Sequence, residues 1–526
     1  MDQNKLVEAM SNPAFYPHRP DSVRLIQTHI SYIFVAGQYV YKVKKAVDFG
    51  FLDFTSREKR KFYCDEELRL NTRLAPDTYI EVAEISEDND SNIVLGPGSN
   101  VVDYAVRMKL LPTDRMLKEL LAKKTVDLSI MEAIARKVAD FHRHAATGGK
   151  IDLMGSAEVI RRNHDENFAQ TKQYIGVTIR DYEYGFITSY IDDFMERQKE
   201  LFAERVKEHK IRECHGDLHL EHICITDDIT IFDCIEFNER FRYADIAAEV
   251  AFLAMDLDYN GYPEHARTFV NAYIREAGDP GVSRLLNFYK CYYAYVRGKV
   301  ISFRTNDNAI HPKDREEARK NAARYFELAY NYAGQPEKPV LILTIGLMGT
   351  GKSALAKNLA PRIGAGMIRT DVLRKEILNI PPANRHYEDF GKGIYAEDVS
   401  QKTYEKALAL ALEKLKEGIS MIIDASYKRQ EERVKAYEAA KNIGADFIIV
   451  ECTCREDVIK KRLDARASKR DEVSDGRWEI FHAQKKDFDP ITGFPPGTHL
   501  IVDTSTKPKT DTHDVMEHIR RLGKKM

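Results

Sequence analysis

The stretch VLILTIGLMGTGKS, residues 340–353, decides how the rest of the chain is read. Its first half is an unbroken apolar run, the composition of a strand buried on both faces of a parallel sheet. Its second half, Gly346 to Ser353, meets G-x-x-x-x-G-K-[ST] at every fixed position, directly after that strand and at the start of a helix. Gly346, Gly349, Thr350 and Gly351 form the loop, and the glycines let its backbone curl so that N–H groups face phosphate oxygens. The positive end of the following helix strengthens that anion site. In this pattern Lys352 reaches the β- and γ-phosphates and Ser353 binds Mg²⁺, so ATP and Mg²⁺ are the expected cofactors.

Working outward, strand-like runs recur at Met367–Thr370, Met421–Asp424, Phe447–Glu451 and Leu500–Val502. Helical stretches lie between them at Ser353–Leu359, Val399–Glu417, Gln430–Asn442 and Asp457–Arg466. Short apolar strands alternating with helices predict a parallel sheet covered on both faces. Asp371 follows the second strand, at the carboxyl edge where such folds bind ligands. A carboxylate there can take the proton of an attacking hydroxyl, and Arg374, one helical turn on, can hold a phosphate. The other reading is a capping Asp beside an unrelated surface Arg. Asp424 ends the third strand, where an acid supports the metal or its water. Arg462 and Arg466 stand four residues apart, on one helix face, as a lid over ATP or as a solvated basic face.

The phosphate loop, the D-x-x-R of residues 371–374, IIDAS at 422–426 and RLDAR at 462–466 together resemble the small P-loop kinases. That group includes zeta toxins, chloramphenicol phosphotransferase and the kinase domain of polynucleotide kinase. The resemblance covers most of 340–490. It implies Asp371 as the base on an acceptor hydroxyl and Arg374 as a contact to substrate phosphate. It leaves the acceptor open between a small molecule and an RNA or DNA end.

Upstream, Gly334-Gln335-Pro336-Glu337-Lys338-Pro339 is a breaker-rich linker that separates residues 1–333 from 340–526. The N-terminal part is strand-rich to about Leu111 (THISYIFV, QYVYKVKK, YIEVAEI, NIVLG, VVDYAVRMKLL), with one helix predicted from Ser56 to Leu74. Beyond it the chain is mostly helical, apart from a strand-rich patch at Arg212–Phe237. A β-rich lobe of about 20–111 followed by an α-rich lobe of about 112–333 is the order of a bilobal, α+β kinase-like fold.

Within the patch, CHGDLHLEHICI (214–225) is followed by TIFDCIEFNER (230–240). Asp217 sits in a tight turn and Asp233 ends a short apolar strand; two carboxylates on neighbouring strand or loop ends can divide the work of phosphoryl transfer, Asp217 as base and Asp233 on Mg²⁺. His215, His219 and His222, with Cys214 adjacent, leave a transition-metal site as the alternative. These segments, with YKVKK (41–45) and EELRLN (66–71), resemble the aminoglycoside phosphotransferase family from about Thr28 to Tyr332. The resemblance implies Lys42, or Lys44 on the same strand face, paired with ATP phosphates and with Glu67. It also implies Asp245 as the acid that braces the catalytic loop. One departure stands out: the family has Asn as second metal ligand where this chain has His222. A clear Gly-rich loop between the first strands is also missing. The N-terminal domain therefore reads either as a second kinase or as a domain of that fold that only binds.

Composition sets the remaining bounds. The chain of 526 residues, 43% hydrophobic and 31% charged, is that of a multidomain globular protein. No apolar run reaches the roughly 18 residues of a membrane span, and no secretory signal pattern is present. Seven cysteines, an odd number without a C-x-x-C pair, argue against a disulfide framework. A cytoplasmic location is expected, with no membrane and no obligate protein partner. Net charge is −2, acidic before Pro336 and mildly basic after it, short of a dedicated nucleic-acid binder. The leading expectation is an ATP-dependent phosphotransferase with an alcohol acceptor. Alternatives are a nucleotide switch fused to a non-catalytic kinase-like module, and a toxin-like kinase.

Overall fold

The computed structural model describes residues 3–50, 52–307, 310–381, 393–467, 478–505 and 508–522; the side chains of 466–467 and 508–511 also lie outside the description. The chain divides into two compact units, Met1–Tyr330 and Asn331–Met526. Among the described residues, no helix is long and apolar enough to cross a membrane.

The first unit opens with a six-stranded antiparallel sheet: β1 (Val23–Gln27), β2 (Ser31–Ala36), β3 (Tyr39–Lys44), β4 (Tyr79–Glu87), β5 (Ile93–Leu95) and β6 (Asn100–Lys109). The order is β1-β2-β3-β6-β4-β5. The run THISYIFV becomes a strand only from Ser31. The Thr28 hydroxyl accepts from the Ser31 backbone N–H at 2.9 Å, and that local bond turns the chain before β2. The expected helix spans Arg57–Asn71, with the Ser56 hydroxyl accepting from Lys59 N at 3.2 Å as its N-cap. Arg60, Cys64, Glu67, Leu70 and Asn71 form its buried face, so the same stripe that packs on Tyr79 and Val106 also carries Glu67 inward.

The rest of this unit is helical around the helix Ile246–Tyr259, in which every residue from Ile246 to Leu257 is buried. A helix buried on all sides belongs in a core, and its two buried acids, Glu249 and Asp256, accept from the Gly216 and Leu220 N–H groups. Two small ladders cross this helical body. β7 (Ile211–Glu213) pairs with β10 (Tyr243–Asp245), and β8 (Ile223–Ile225) with β9 (Ile229–Ile231), all antiparallel. Between them they hold residues 214–222 against residues 232–238, with the Ile235 N–H donating to the His215 carbonyl and the Phe232 N–H to the His222 carbonyl, each at 3.1 Å.

The second unit is built on β11 (Val340–Ile345), β12 (Gly366–Arg369), β13 (Met421–Asp424), β14 (Asp446–Thr453) and β15 (His499–Asp503). They form one parallel sheet in the order β12-β13-β11-β14-β15. Every residue of β11 is buried, as its unbroken apolar sequence predicts for a central strand. The register pairs Thr344 and Arg369 with Asp424. The loop after β11, the helix after β12 and the end of β13 therefore meet at one carboxyl edge.

Candidate active sites

In the second unit the phosphate loop is closed on itself by its own groups. Lys352 Nζ donates to the Leu347 carbonyl at 2.8 Å, and Thr350 Oγ1 donates to the same carbonyl at 2.8 Å. The loop needs glycine at three positions, Gly349 among them at φ +78°. Gly346 has φ +133°, and a Cβ there would lie 2.5 Å from the Cys452 carbonyl oxygen. Gly351 has φ +93° and starts the helix Lys352–Leu359. Gly349 lies in the same turn, between these two.

Asp424 sits at the end of β13 against this loop. Ser353 hydrogen-bonds its carboxylate, and Thr344 Oγ1 lies 3.4 Å from Oδ1. Burial raises the Asp424 carboxyl above its ordinary range; the Ser353 hydrogen bond and the Lys352 charge oppose that, and Asp371 adds to it. A hydroxyl and a carboxylate in contact beside a lysine form a hard-oxygen pair that fits Mg²⁺. Arg369 Nε stands 3.7 Å from Asp424 Oδ2 on the other side.

Asp371 occupies the first turn of the helix Thr370–Ile377 and is partly exposed, within electrostatic reach of Asp424. Arg374 does not stand beside it as a surface cation. It is 4% exposed, and its Nη1 donates to the Ile394 carbonyl at 3.0 Å and to Ser400 Oγ at 2.9 Å, with the guanidinium over the Tyr395 ring. Its visible work is to tie the helix Thr370–Ile377 to the start of the helix Glu397–Lys416.

Arg462, on the helix Glu456–Ala467, reaches the phosphate loop through Thr504. Its Nη2 donates to the Thr504 carbonyl at 2.6 Å and Nη1 lies 3.2 Å from Thr504 Oγ1, whose hydroxyl donates to the Thr350 carbonyl. Nη1 would lie 3.3 Å from a Cβ on Gly351. The Arg466 side chain lies outside the described residues. Two contacts were not visible in the motif pattern: Thr504, and Gln484, whose Oε1 accepts from the Met348 backbone N–H at 2.8 Å. Both come from the far end of the unit, and neither type of residue marks itself in sequence.

In the first unit, Lys42 and Lys44 both reach Glu67. Lys42 Nζ lies 2.8 Å from Glu67 Oε1 and 2.7 Å from Asp233 Oδ1. Lys44 Nζ lies 2.7 Å from Glu67 Oε2 and also bonds Glu236. Lys42 is the one at the Asp233 site; Lys44 is fixed deeper, 1% exposed. Burial disfavours the charge on Lys42, but Asp233 and Glu67 outweigh it and raise its pKa well above the ordinary value.

Asp217 and Asp233 do converge. His222 lies between them, with Nδ1 2.9 Å from the Asp217 carbonyl and Nε2 3.5 Å from Asp233 Oδ2. His219 Nε2 is 3.5 Å from Asp217 Oδ2. Burial pushes the Asp217 carboxyl up, yet its contacts with His219 and His222 bring it down to about 2, so it is ionised near neutrality. Asp233 does not end a strand. It lies two residues past β9 at φ +64°, its backbone N–H donating to Tyr79 Oη at 3.1 Å, and that left-handed turn aims the carboxylate at Lys42.

The expectation for Asp245 needs correction. Asp245 forms a two-point ion pair with Arg205, at 2.8 and 2.5 Å, and its carboxylate caps the helix Ile246–Tyr259. The brace is Glu249, one turn further on. Its Oε1 accepts from the Gly216 backbone N–H at 2.7 Å, and its Oε2 lies 2.6 Å from His142 Nε2, whose Nδ1 bonds Tyr273 Oη at 2.7 Å. The physical reason is geometric. The N-cap carboxylate is drawn to its own helix and to Arg205, which leaves the next inward position to meet the Gly216 turn.

Comparison with known proteins found these similarities. The profile of a family described as an AAA domain matches residues 341–491. An uncharacterised protein of Mycobacterium tuberculosis strain H37Rv is 29% identical over 464 residues, covering 88% of this chain and 90% of that one, and a Mycobacterium bovis protein matches to the same extent. Among solved structures, a gluconokinase from Sinorhizobium meliloti aligns at a TM-score of 0.26 and 19% identity, over 35% of this chain and 94% of its own. A choline/ethanolamine kinase family protein from Mesorhizobium loti aligns at 0.34 and 13% identity, over 62% of this chain and 99% of its own.

Proposed function

We propose that this protein is an ATP-dependent phosphotransferase whose surest catalytic centre is the phosphate loop of the second unit. The observation that carries the reading is the contact of Ser353 with Asp424 beside Lys352, at a sheet edge that Asp371 shares. Lys352 and the N–H groups of residues 346–353 hold the β- and γ-phosphates. Ser353 and Asp424 hold Mg²⁺, which when bound neutralises charge developing on the transferred group. Asp371, partly exposed, accepts the proton of the acceptor hydroxyl. Arg462, anchored to Thr504 at the loop, lies where it can offset charge on the phosphates. Arg374 positions the helix that bears Asp371.

In the same reading the first unit is a second nucleotide site. Lys42, oriented by Glu67, meets phosphate; Asp217 is the base; Asp233 and His222 face the metal. The acceptor is an alcohol of a small molecule or of an RNA or DNA end. The test is a screen for γ-phosphate transfer from ATP to nucleosides, nucleic-acid ends, sugars, inositols and aminoglycosides. Wild type is compared with Lys352→Ala and with Asp217→Asn. Transfer that survives the first and is lost in the second would move the catalyst to the first unit.

A further inference from the structure

We infer that the metal position between Asp217 and Asp233 is built for a divalent transition metal rather than for Mg²⁺, with His222 Nε2 and Asp233 Oδ2 as its protein ligands. This rests on reading the first unit as a nucleotide site. Ligand-capable atoms of Asp217, His219 and His222 lie within 4.8 Å of one another. Their hydrogen bonds decide which of the nearby histidines can bind an ion.

His215 donates from Nε2 to the Phe232 carbonyl at 2.9 Å, and its Nδ1 accepts from the Asp217 N–H at 3.3 Å. Both ring nitrogens are engaged. His219 Nδ1 accepts from the Glu221 N–H at 3.3 Å, which puts its hydrogen on Nε2, facing Asp217 Oδ2 at 3.5 Å. His219 therefore orients Asp217 and presents no lone pair. His222 is the reverse case. The Asp217 carbonyl can only accept, so Nδ1 carries a hydrogen, and Nε2, 3.5 Å from Asp233 Oδ2, is the nitrogen that offers a lone pair in the neutral ring. A ring held through Nδ1–H to a carbonyl, with Nε2 left to face an ion that a neighbouring carboxylate shares, is the arrangement of a metal-bound histidine.

The spacing agrees. Two ligand atoms 3.5 Å apart subtend roughly 110° at an ion about 2.1 Å from each, near the tetrahedral angle that Zn²⁺ takes. An octahedral Mg²⁺ at that distance asks for about 90°, and for oxygen rather than imidazole. Imidazole together with carboxylate favours the later divalent transition metals. The ion would have Asp233 in common with Lys42, so its arrival competes with the 2.7 Å Lys42–Asp233 contact and frees Lys42 for phosphate.

The test is a Co²⁺ titration of the full chain, read by visible absorption. We expect an intense ligand-field band of a nitrogen-bearing, near-tetrahedral site. Binding should weaken by about tenfold or more in His222→Asn and in Asp233→Asn, and Mg²⁺ in large excess should not displace the ion. A second readout needs no variant: the spin-echo spectrum of Mn²⁺ bound to the unaltered chain should show one directly bound imidazole nitrogen. Unchanged Co²⁺ binding in His222→Asn, ready displacement by Mg²⁺, or no imidazole nitrogen would each overturn the assignment. A separate measurement distinguishes the underlying reading. If Co²⁺ binds as described but ATP does not stabilise the first unit in a Lys352→Ala chain, the metal site stands and the nucleotide reading of that unit falls.

Discussion

Replacing Glu249 by alanine should uncouple the Asp217 loop from the helical core. Glu249 is 3% exposed, and its two oxygens serve the Gly216 backbone N–H at 2.7 Å and His142 Nε2 at 2.6 Å. Removing the carboxylate leaves both groups buried without this acceptor. A buried group left unsatisfied costs about 1–3 kcal/mol, so the loss for two is of order 2–6 kcal/mol. Glu249→Gln keeps the shape and one acceptor oxygen, and should lose less than half of that. The single tryptophan, Trp478, lies in the second unit. In urea unfolding of the full chain, tryptophan fluorescence thus follows the second unit, and helix signal lost without it belongs to the first. The alanine variant should move only the latter transition to lower urea. Amide exchange should accelerate across 214–222, and stabilisation by ATP and metal in the first unit should disappear. A change below about 1 kcal/mol with unaltered exchange at Gly216 would refute the bracing role.

Asp371→Asn should lower transfer from the second unit by about 10²–10⁴-fold while ATP affinity stays near wild type, since the amide cannot take a proton; equal loss of both, measured by calorimetry and turnover, would contradict a base. Gly346→Ala should abolish ATP binding and cost roughly 1–3 kcal/mol, because φ +133° and the Cys452 carbonyl 2.5 Å away force the loop to move; a bound nucleotide at wild-type affinity would show the loop has slack. His164 is packed among Phe168, Phe288 and Tyr292, and burial, aided by the Arg161 charge, pulls its pKa down to about 3. The unfolded chain then binds the proton more readily than the folded one. Its contribution is complete above about pH 6.5 and falls as the pH drops toward about 3, by ~2 kcal/mol at about pH 5. His164→Phe should flatten the pH dependence of unfolding over that window; an unchanged slope would show that His164 does not carry it.

The legible parts of this chain are those where local pattern and chemistry coincide. The strand VLILTI and the loop that follows it need no distant partner to be recognised, and Asp371, Asp424, Asp217 and Asp233 follow short apolar runs or sit in tight motifs. What escaped were roles set by tertiary contact. Asp245 and Glu249 are both acids on one helix, and only the fold shows that Arg205 claims the first and Gly216 meets the second. Lys42 and Lys44 alternate correctly on one strand face, but which of them meets Asp233 depends on a loop 191 residues away. Arg374 reads as a phosphate contact because its partners, Ile394 and Ser400, come from the next helix entry. The strand Val23–Gln27 and the helix Gln3–Met10 were not apparent, since neither has the length or the marked alternation that pattern reading needs.

The most direct test of the central claim is γ-phosphate transfer from radiolabelled ATP by the full chain against the acceptor set named above, with Lys352→Ala beside wild type. Lys352 opens the helix Lys352–Leu359 and its Nζ donates to the Leu347 carbonyl, so urea unfolding of the variant is compared with wild type before its activity is read. The account predicts a labelled acceptor with wild type and a loss of about 10²–10³-fold in the variant. A folded Lys352→Ala protein that labels the same acceptor at the wild-type rate would contradict it.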